Sequence, residues 1–403
     1  MTDHNATDMR AAVAPKVVVI GGGYSGTLAA NHLRLPGDWK TPDITLVNPR
    51  PKFVERIRLH QLVAGTADVT ADYGNMLGAG INLVVDTATH IDTASCQVHL
   101  ASGRTLDYDY VIYAVGSTGN VPASVPGATE FAYPIAEFEA AQLLRDALEE
   151  LHPDAPVTVV GAGLTGIETA SELAEQGRAV TLVCGGRLAP SLSEAGRRSI
   201  AKWFAKHRVA VLEDDVVAEV RSDAVVFADG AVRPSAVTIW TAGFGVPELA
   251  ARSGLHTDAL GRLLTDETLT SVDDVRIVAA GDCAAPSGQP LRMSCQAASQ
   301  LGPQAAETVL RRIAGTAPDT LEYMFVGSCV SLGRRAATLQ LARKDDSPVR
   351  FYLGGRLTAL LKEAVCKGTV WSVRREARKP GSTPKAKGGP RPAQVAVKAV
   401  TDA

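Results

Sequence analysis

Residues 17–26 read "VVVIGGGYSG" and residues 157–166 read "VTVVGAGLTG". Each is an apolar run ending in a glycine turn. The second turn repeats the spacing of the first, with Gly161, Gly163 and Gly166 matching Gly21, Gly23 and Gly26. In a G-x-G-x-x-G turn the first glycine permits a tight bend, and the second lets backbone approach a pyrophosphate. The third lets the following helix pack close to the strand. The unpaired N–H groups at that helix N-terminus then face phosphate oxygens. "TLAANHLRL" and "IETASELAEQG" supply the two helices, and "DITLVN" and "AVTLVC" the next strands. Strand, turn, helix and strand agree twice, so two bound dinucleotides are expected. Gly21, Gly23, Tyr24, Ser25 and Gly26 would surround one; Gly161, Gly163, Leu164, Thr165 and Gly166 would surround the other.

The second strand of such a unit normally ends in an acid that holds a ribose. Here Asn48 and Cys184 occupy those two places. Asn48 can still hydrogen-bond a ribose hydroxyl, without charge. Cys184 is followed by Arg187, with Arg197, Arg198 and Lys202 further along. Loss of the acid beside an arginine is the pattern that accommodates a 2′-phosphate, so the reading leans towards NADPH over NADH. The alternative is a solvated basic helix face.

Length and composition bound the rest. A chain of 403 residues suggests two or three domains. Apolar residues at 46% and charged residues at 21% match a soluble globular protein. No apolar run reaches membrane-spanning length, and "MTDHNATDMRAAVAP" lacks the apolar region of a signal peptide. Residues 1–15 are expected to be a flexible lead-in to a cytoplasmic protein. The six cysteines form no CxxC and the eight histidines no ligand pair, so no metal site is expected. The charge is uneven. From Arg350 onward there are twelve Lys or Arg against three Asp or Glu, leaving 29 against 40 in the remainder. A basic end on an acidic body suggests an anionic partner surface.

Three further segments carry a family resemblance: "YDYVIYAVGS" at 108–117, "VTIWTAGFG" at 237–245 and "VRIVAAGDCAA" at 275–285. Together with both glycine turns, in this order, they resemble the two-dinucleotide-binding-domain flavoproteins of the pyridine nucleotide–disulfide oxidoreductase superfamily. The resemblance covers about residues 16–315. It implies FAD at the first turn, NADH or NADPH at the second, and Asp282, after Gly281, on the ribityl chain. Arg58, Ala114, Gly116, Ala242 and Gly243 would line the cofactors. The redox CxxxxC of the disulfide reductases is missing, since no cysteine precedes Cys96.

Within that group the chain is most similar to type II NADH:quinone oxidoreductases and apoptosis-inducing-factor-like proteins. "GLTGIETASELAE" resembles their second turn, and "SCQAASQLGPQAAETVLRRIAG" at 294–315 their A-Q-x-A-x-Q helix. "GSCVSLGRRAA" at 327–337 resembles the strand that opens their C-terminal region. Gln296 and Gln300 are four residues apart, on one helical face. The resemblance places them, with Glu168, around the nicotinamide and a quinone. Glu168 is placed on the first turn of its helix, where dipole complementarity is the alternative role. The segment 51–65 carries Arg56, Arg58 and His60, and His60 is read as packed rather than as a proton donor.

In "GRLTALLKEAVCKGTVW", Leu357, Leu360, Leu361, Ala364, Val365 and Trp371 recur at helical spacing, with Arg356, Lys362 and Lys367 among them. This basic amphipathic helix either docks on an anionic bilayer or packs its apolar stripe on the FAD domain. The stripe is short, so packing is the expectation.

The expected fold is α/β, with two Rossmann-like FAD- and NAD(P)-binding domains and a small C-terminal α+β region. The FAD-binding domain would be 16–120 and 245–320, the NAD(P)H-binding domain 121–244 and the C-terminal region 321–375. A disordered basic tail would fill 376–403. The expected activity is FAD-dependent NAD(P)H:quinone oxidoreduction, in the cytoplasm or peripheral on the inner face of the membrane. A redox sensor and a reductase of an iron–sulfur protein are the alternatives. Nucleic acid is not an expected partner, and a homodimer is left open.

Overall fold

Val17, Val18, Val19 and Ile20 are all buried. An unbroken β-branched run of this kind suits a parallel strand covered on both faces. In the structure, a computed structural model that describes residues 14–385 and Gly388, Lys16–Ile20 is the middle strand of a five-stranded parallel sheet. The order is Ile277–Ala279, Tyr110–Tyr113, Lys16–Ile20, Asp43–Asn48, Ile81–Val85. Val157–Val160 is the middle strand of a second five-stranded parallel sheet. Its order is Ala132–Pro134, Val237–Trp240, Val157–Val160, Val180–Val183, Ala210–Leu212.

The likeness of the halves extends beyond the glycine turns. In each, counting from the middle strand, the third strand is followed by a three-stranded antiparallel sheet before the chain returns beside that middle strand. In the first half these strands are Ala88–Asp92, Gln97–Leu100 and Thr105–Asp107. In the second they are Val217–Val220, Ala224–Phe227 and Val232–Pro234. The chain passes from one half to the other and back through a two-stranded antiparallel ribbon, Thr118–Gly119 against Phe244–Gly245. The α/β class and the paired Rossmann-like units are therefore present.

The C-terminal region is a three-stranded antiparallel sheet, Gly327–Leu332, Ala336–Ala342 and Pro348–Gly355, followed by the 23-residue helix Arg356–Arg378. This helix corrects two expectations. Its leucine-rich stripe does not pack on the FAD domain: Leu357 is 82% exposed, Leu360 69% and Trp371 56%. The buried face is instead Thr358, Cys366, Val370, Val373, Glu376 and Ala377. Val370 and Val373 join the core around Leu28 and Leu33. Small side chains let the helices approach closely, and they made a quieter pattern than the leucines.

The second correction concerns the tail. The helix runs through 376–378, and residues 379–385 are held against it. Glu376 is fully buried and accepts hydrogen bonds from the Gly381 and Thr383 N–H groups and from the hydroxyls of Ser382 and Thr383. The rest of the expected tail, like residues 1–13 of the expected lead-in, lies outside the described residues.

Candidate active site

The two turns are built alike. Gly21 and Gly161 have φ of +105° and +109°, a region open to glycine. A Cβ on Gly26 would overlap the carbonyl of Gly21, and one on Gly166 the carbonyl of Gly161. That is the close helix–strand approach expected of the third glycine. At Gly23 and Gly163 an added Cβ would meet nothing within 4 Å. These two positions border open space, as a backbone cradle for phosphate requires. Gly23 and Gly163 are also the N-caps of helices Tyr24–His32 and Leu164–Glu175, and neither helix has a side-chain cap. The N–H groups of both are left for an anion.

The first turn is fixed by its neighbours. Asn48 Oδ1 accepts from the Gly22 N–H (2.9 Å), and its Nδ2 donates to the Arg50 carbonyl (2.7 Å). Asn48 therefore shapes the turn with both ends of its amide, which is a different task from the expected ribose contact. Tyr73 Oη donates to the Gly22 carbonyl (2.7 Å), and Tyr24 packs edge-on against Phe53. Ala114 backs Gly21, and Gly116 has φ of +72° beside it. Asp282 lies just after the strand Ile277–Ala279. It accepts from the Ser117 hydroxyl (2.8 Å) and the Ser294 N–H (3.1 Å). Burial raises its carboxyl above the usual range, against the pull of Ser117 and Arg56.

A dinucleotide fits this cradle. The Ser25 hydroxyl, in the first helical turn, is buried and has no hydrogen-bond partner. A buried orphan hydroxyl is costly alone and is satisfied by a phosphate oxygen. Asp282 keeps free lone pairs for sugar hydroxyls after its two bonds.

At the second turn, Thr241 donates to the carbonyls of Val160 and Gly161 and holds the bend, with Ala242 and Gly243 following. Cys184 directly follows the strand Val180–Val183; burial, with Glu213 nearby, pushes its thiol up to about 12. Arg187 is exposed and pairs with Glu194, as do Arg197 and Arg198. Three arginines thus share one carboxylate at the helix start, with cationic surplus left over. Glu213 accepts from the Leu188 N–H (2.7 Å).

The expected acceptor residues divide. Gln296 and Gln300 do share a helical face, but their amides are engaged. Gln296 accepts from the Val326 N–H and donates to the Gly327 carbonyl; Gln300 accepts from the Met324 N–H and donates to the Met324 carbonyl. They clasp the strand entering the C-terminal sheet. Arg58 is spent too, on Glu55, Gln61 and a two-pronged pair with Glu363 of the C-terminal helix.

Glu168 is the fifth residue of its helix rather than part of its first turn, and it is buried. Lys362 Nζ lies 3.0 Å from its Oε1, which also accepts from the Ser331 N–H (2.9 Å). His60 Nδ1 lies 3.7 Å from Oε2. Burial raises the Glu168 carboxyl, but Lys362 and His60 outweigh it and hold the group below the usual range. Burial lowers Lys362, and Glu168 more than reverses this. Burial pushes His60 down to about 4, so its imidazole is neutral near pH 7.

Lys362 opens onto a cavity of about 250 Å³, together with Gln61, Ser331, Arg334, Leu360 and Cys366. The sequence had offered Lys362 only as one charge on an amphipathic helix. Nothing local reveals that it reaches inward, because its partner is 194 residues away. Among the described residues no group of His, Cys, Asp and Glu could hold a metal ion. No helix there is long and apolar enough to cross a membrane.

Residues 15–302 match the pyridine nucleotide-disulphide oxidoreductase family. A NADH dehydrogenase-like protein of Bacillus subtilis is 28% identical over 365 residues, 88% of this chain and 98% of its own length. The type II NADH:quinone oxidoreductase of Staphylococcus aureus is 25% identical over 397 residues, 89% and 96% of the two chains. Among solved structures, NDH2 of Plasmodium falciparum in complex with NADH superposes with a TM-score of 0.75 at 17% identity. That superposition covers 91% of this chain and 97% of the other.

Proposed function

Because the chain belongs to the pyridine nucleotide-disulphide oxidoreductase family, and so is an oxidoreductase with FAD and NAD(P)H as its cofactors, we propose that it passes electrons from NADH or NADPH to a quinone. FAD would be held within 16–120 and 245–320, the nicotinamide nucleotide within 121–244. When bound, FAD supplies the two-electron chemistry that links hydride donor and acceptor.

The observation that carries the quinone reading is the cavity beneath the C-terminal helix. Lys362, paired with the buried Glu168, lines it, and so does the exposed Leu360. A quinone needs an apolar approach and a proton source at its oxygens. The chain's residues then have separate tasks. Gly21, Gly23, Gly26, Ser25 and Asp282 hold FAD. Gly161, Gly163 and Gly166 hold the nucleotide. Gln296 and Gln300 fix the strand that walls the cavity, and the Glu168–Lys362 pair holds a proton beside it.

Membrane contact belongs to the same reading. Arg356, Lys367 and Arg375 flank the outward stripe of Leu357, Leu360 and Trp371, a combination suited to an anionic bilayer that carries the acceptor. That surface favours a lipid-borne quinone over an iron–sulfur protein or a sensor role.

Anaerobic titration with NADH and, separately, NADPH tests the proposal by flavin absorbance. One nucleotide should bleach the flavin, and added menadione should restore the colour within seconds. Bleaching that only oxygen reverses would remove the quinone from the reading. The nucleotide that bleaches faster decides the question raised by Cys184 and Arg187.

A further inference from the structure

The second glycine turn lacks its usual ribose acid, because Cys184 stands where one is expected. The neutral thiol of Cys184 is only a weak acceptor. The neighbouring strand brings a carboxylate to the same level. Val183 pairs with Leu212, so Glu213 follows strand Ala210–Leu212 directly beside Cys184. Its charge is felt there: after burial, Glu213 is what raises the Cys184 thiol.

Backbone bonds fix this rim. The N–H groups of Cys184, Gly185 and Gly186 donate to the carbonyls of Leu212 (2.8 Å), Asp215 (3.2 Å) and Glu213 (2.6 Å). Glu213 Oε1 accepts from the Leu188 N–H (2.7 Å). Ala189, next in the chain, donates its own N–H to the carbonyl of Ala162 (3.1 Å), inside the glycine turn. Two hydrogen bonds therefore tie the Glu213 carboxylate to the turn that would cradle a pyrophosphate. A carboxylate has room for further donors after one bond, and Glu213 is exposed.

We propose that Glu213 is the ribose acid of the nicotinamide nucleotide, supplied from the next strand of the sheet, and that it selects NADH over NADPH. This rests on placing that nucleotide at the second glycine turn, as in the reading above. The carboxylate accepts a hydrogen bond from the 2′-hydroxyl of NADH. In NADPH a phosphate takes that position, and two anions meet at a cost in affinity. The arginines do not relieve it. Arg187, the one cation in 184–188, is turned to Glu194 (3.2 Å). Arg197 and Arg198 pair with the same carboxylate. Lys202, further along that helix, lines a separate groove with Arg350 and Phe351. On the facing stretch, Asp214 and Asp215 follow Glu213. Three arginines against these four carboxylates leave the rim net negative, where a 2′-phosphate needs it positive. The lean towards NADPH that Cys184 and Arg187 give along the chain is thereby reversed.

Isothermal titration calorimetry of the FAD-loaded protein with ADP-ribose and with 2′-phospho-ADP-ribose reads the adenosine end alone, with no hydride or quinone involved. Wild type should bind ADP-ribose at least ~10-fold tighter. Glu213→Gln keeps the shape and an acceptor for the Leu188 N–H but removes the charge. It should erase the preference by tightening the phosphorylated compound. Glu213→Ala should also weaken ADP-ribose by ~10-fold. Asp214→Asn, at the next exposed residue, should move the ratio by less than ~3-fold. Three results would overturn the assignment: a wild type that binds both compounds alike or prefers the 2′-phosphate, a ratio unmoved by Glu213→Gln, or equal shifts from Asp214→Asn and Glu213→Gln, the mark of a diffuse field rather than a contact. Gly166→Ala checks the placement separately. If it leaves ADP-ribose affinity unchanged, the nucleotide sits elsewhere, and placement and assignment fall together. If it weakens ADP-ribose while the Glu213 variants are silent, the assignment falls alone.

Discussion

Gly26 and Gly166 stand at the same point of the two turns, and each has its Cβ position filled by a carbonyl. An alanine at either must push the helix off the strand. Gly26→Ala should purify largely colourless, because it spoils the FAD cradle. Gly166→Ala should purify yellow but need at least ~10-fold more NAD(P)H to bleach, a loss of about 1.4 kcal/mol in binding. The reverse pattern would exchange the two cofactors. Asp282→Ala should also lose FAD, and a fully yellow preparation would refute its role. Lys362 makes a different kind of prediction. Lys362→Met leaves Glu168 buried without its cation, which typically costs roughly 3–5 kcal/mol. Denaturant melts should show that loss, and the added change Glu168→Gln should recover most of it.

At the scale of elements, the C-terminal helix is held by a buried cluster from three segments. His32, at the end of helix Tyr24–His32, has Nδ1 2.7 Å from Glu376 and Nε2 3.2 Å from Glu307 of helix Cys295–Ile313. Lys385 closes the group on Glu307 at 2.7 Å. Burial lowers the imidazole, but Glu307 and Glu376 outweigh it and raise His32 above its ordinary value of 6.5. Burial raises Glu376, but the hydrogen bonds from His32 and Thr383 win and bring it from 4.5 to about 2.

The signs of the two shifts differ. A raised histidine stabilises fully below 6.5, and its contribution fades as pH climbs through the raised value. A depressed carboxyl stabilises fully above 4.5, and its contribution fades as pH falls towards 2. The clasp should therefore be strongest between about pH 4.5 and 6.5. Glu376 contributes on the order of 3 kcal/mol there. Thermal melts across pH should show Glu376→Gln losing most stability in that window. A uniform loss from pH 3 to 9 would refute the clasp.

For the whole molecule, the outward stripe is the feature with consequences. Wild type should cosediment with vesicles containing anionic phosphatidylglycerol at low salt and come off as salt rises. The double variant Leu357→Glu/Leu360→Glu should stay in the supernatant while keeping its melting temperature, since both side chains are already exposed. Equal sedimentation of the two would assign the stripe another partner. The ribbon Thr118–Gly119 with Phe244–Gly245 carries the chain between the halves, and Arg56 bonds backbone of both halves beside it. Its Nε donates to the Ala136 carbonyl and its Nη1 to that of Ser117.

The sequence alone determined the two Rossmann-like units, because their rules are local. A buried β-branched run, a glycine where a Cβ cannot fit and a helix start without a cap all lie within a few residues of one another. The same locality made Gln296 and Gln300 share a face, and exposed the missing redox cysteines of the disulfide branch. Tertiary structure decided what those groups touch. The amides of Gln296 and Gln300 went to backbone at 324–327, and Arg58 went to Glu363. Asn48 went to its own turn. The loud leucine stripe faced outward while small residues packed inward. Above all, Glu168, Lys362 and His60 met across three distant segments. Whether a buried charge is tolerated depends on its partner in space, and a one-dimensional pattern carries no record of that distance.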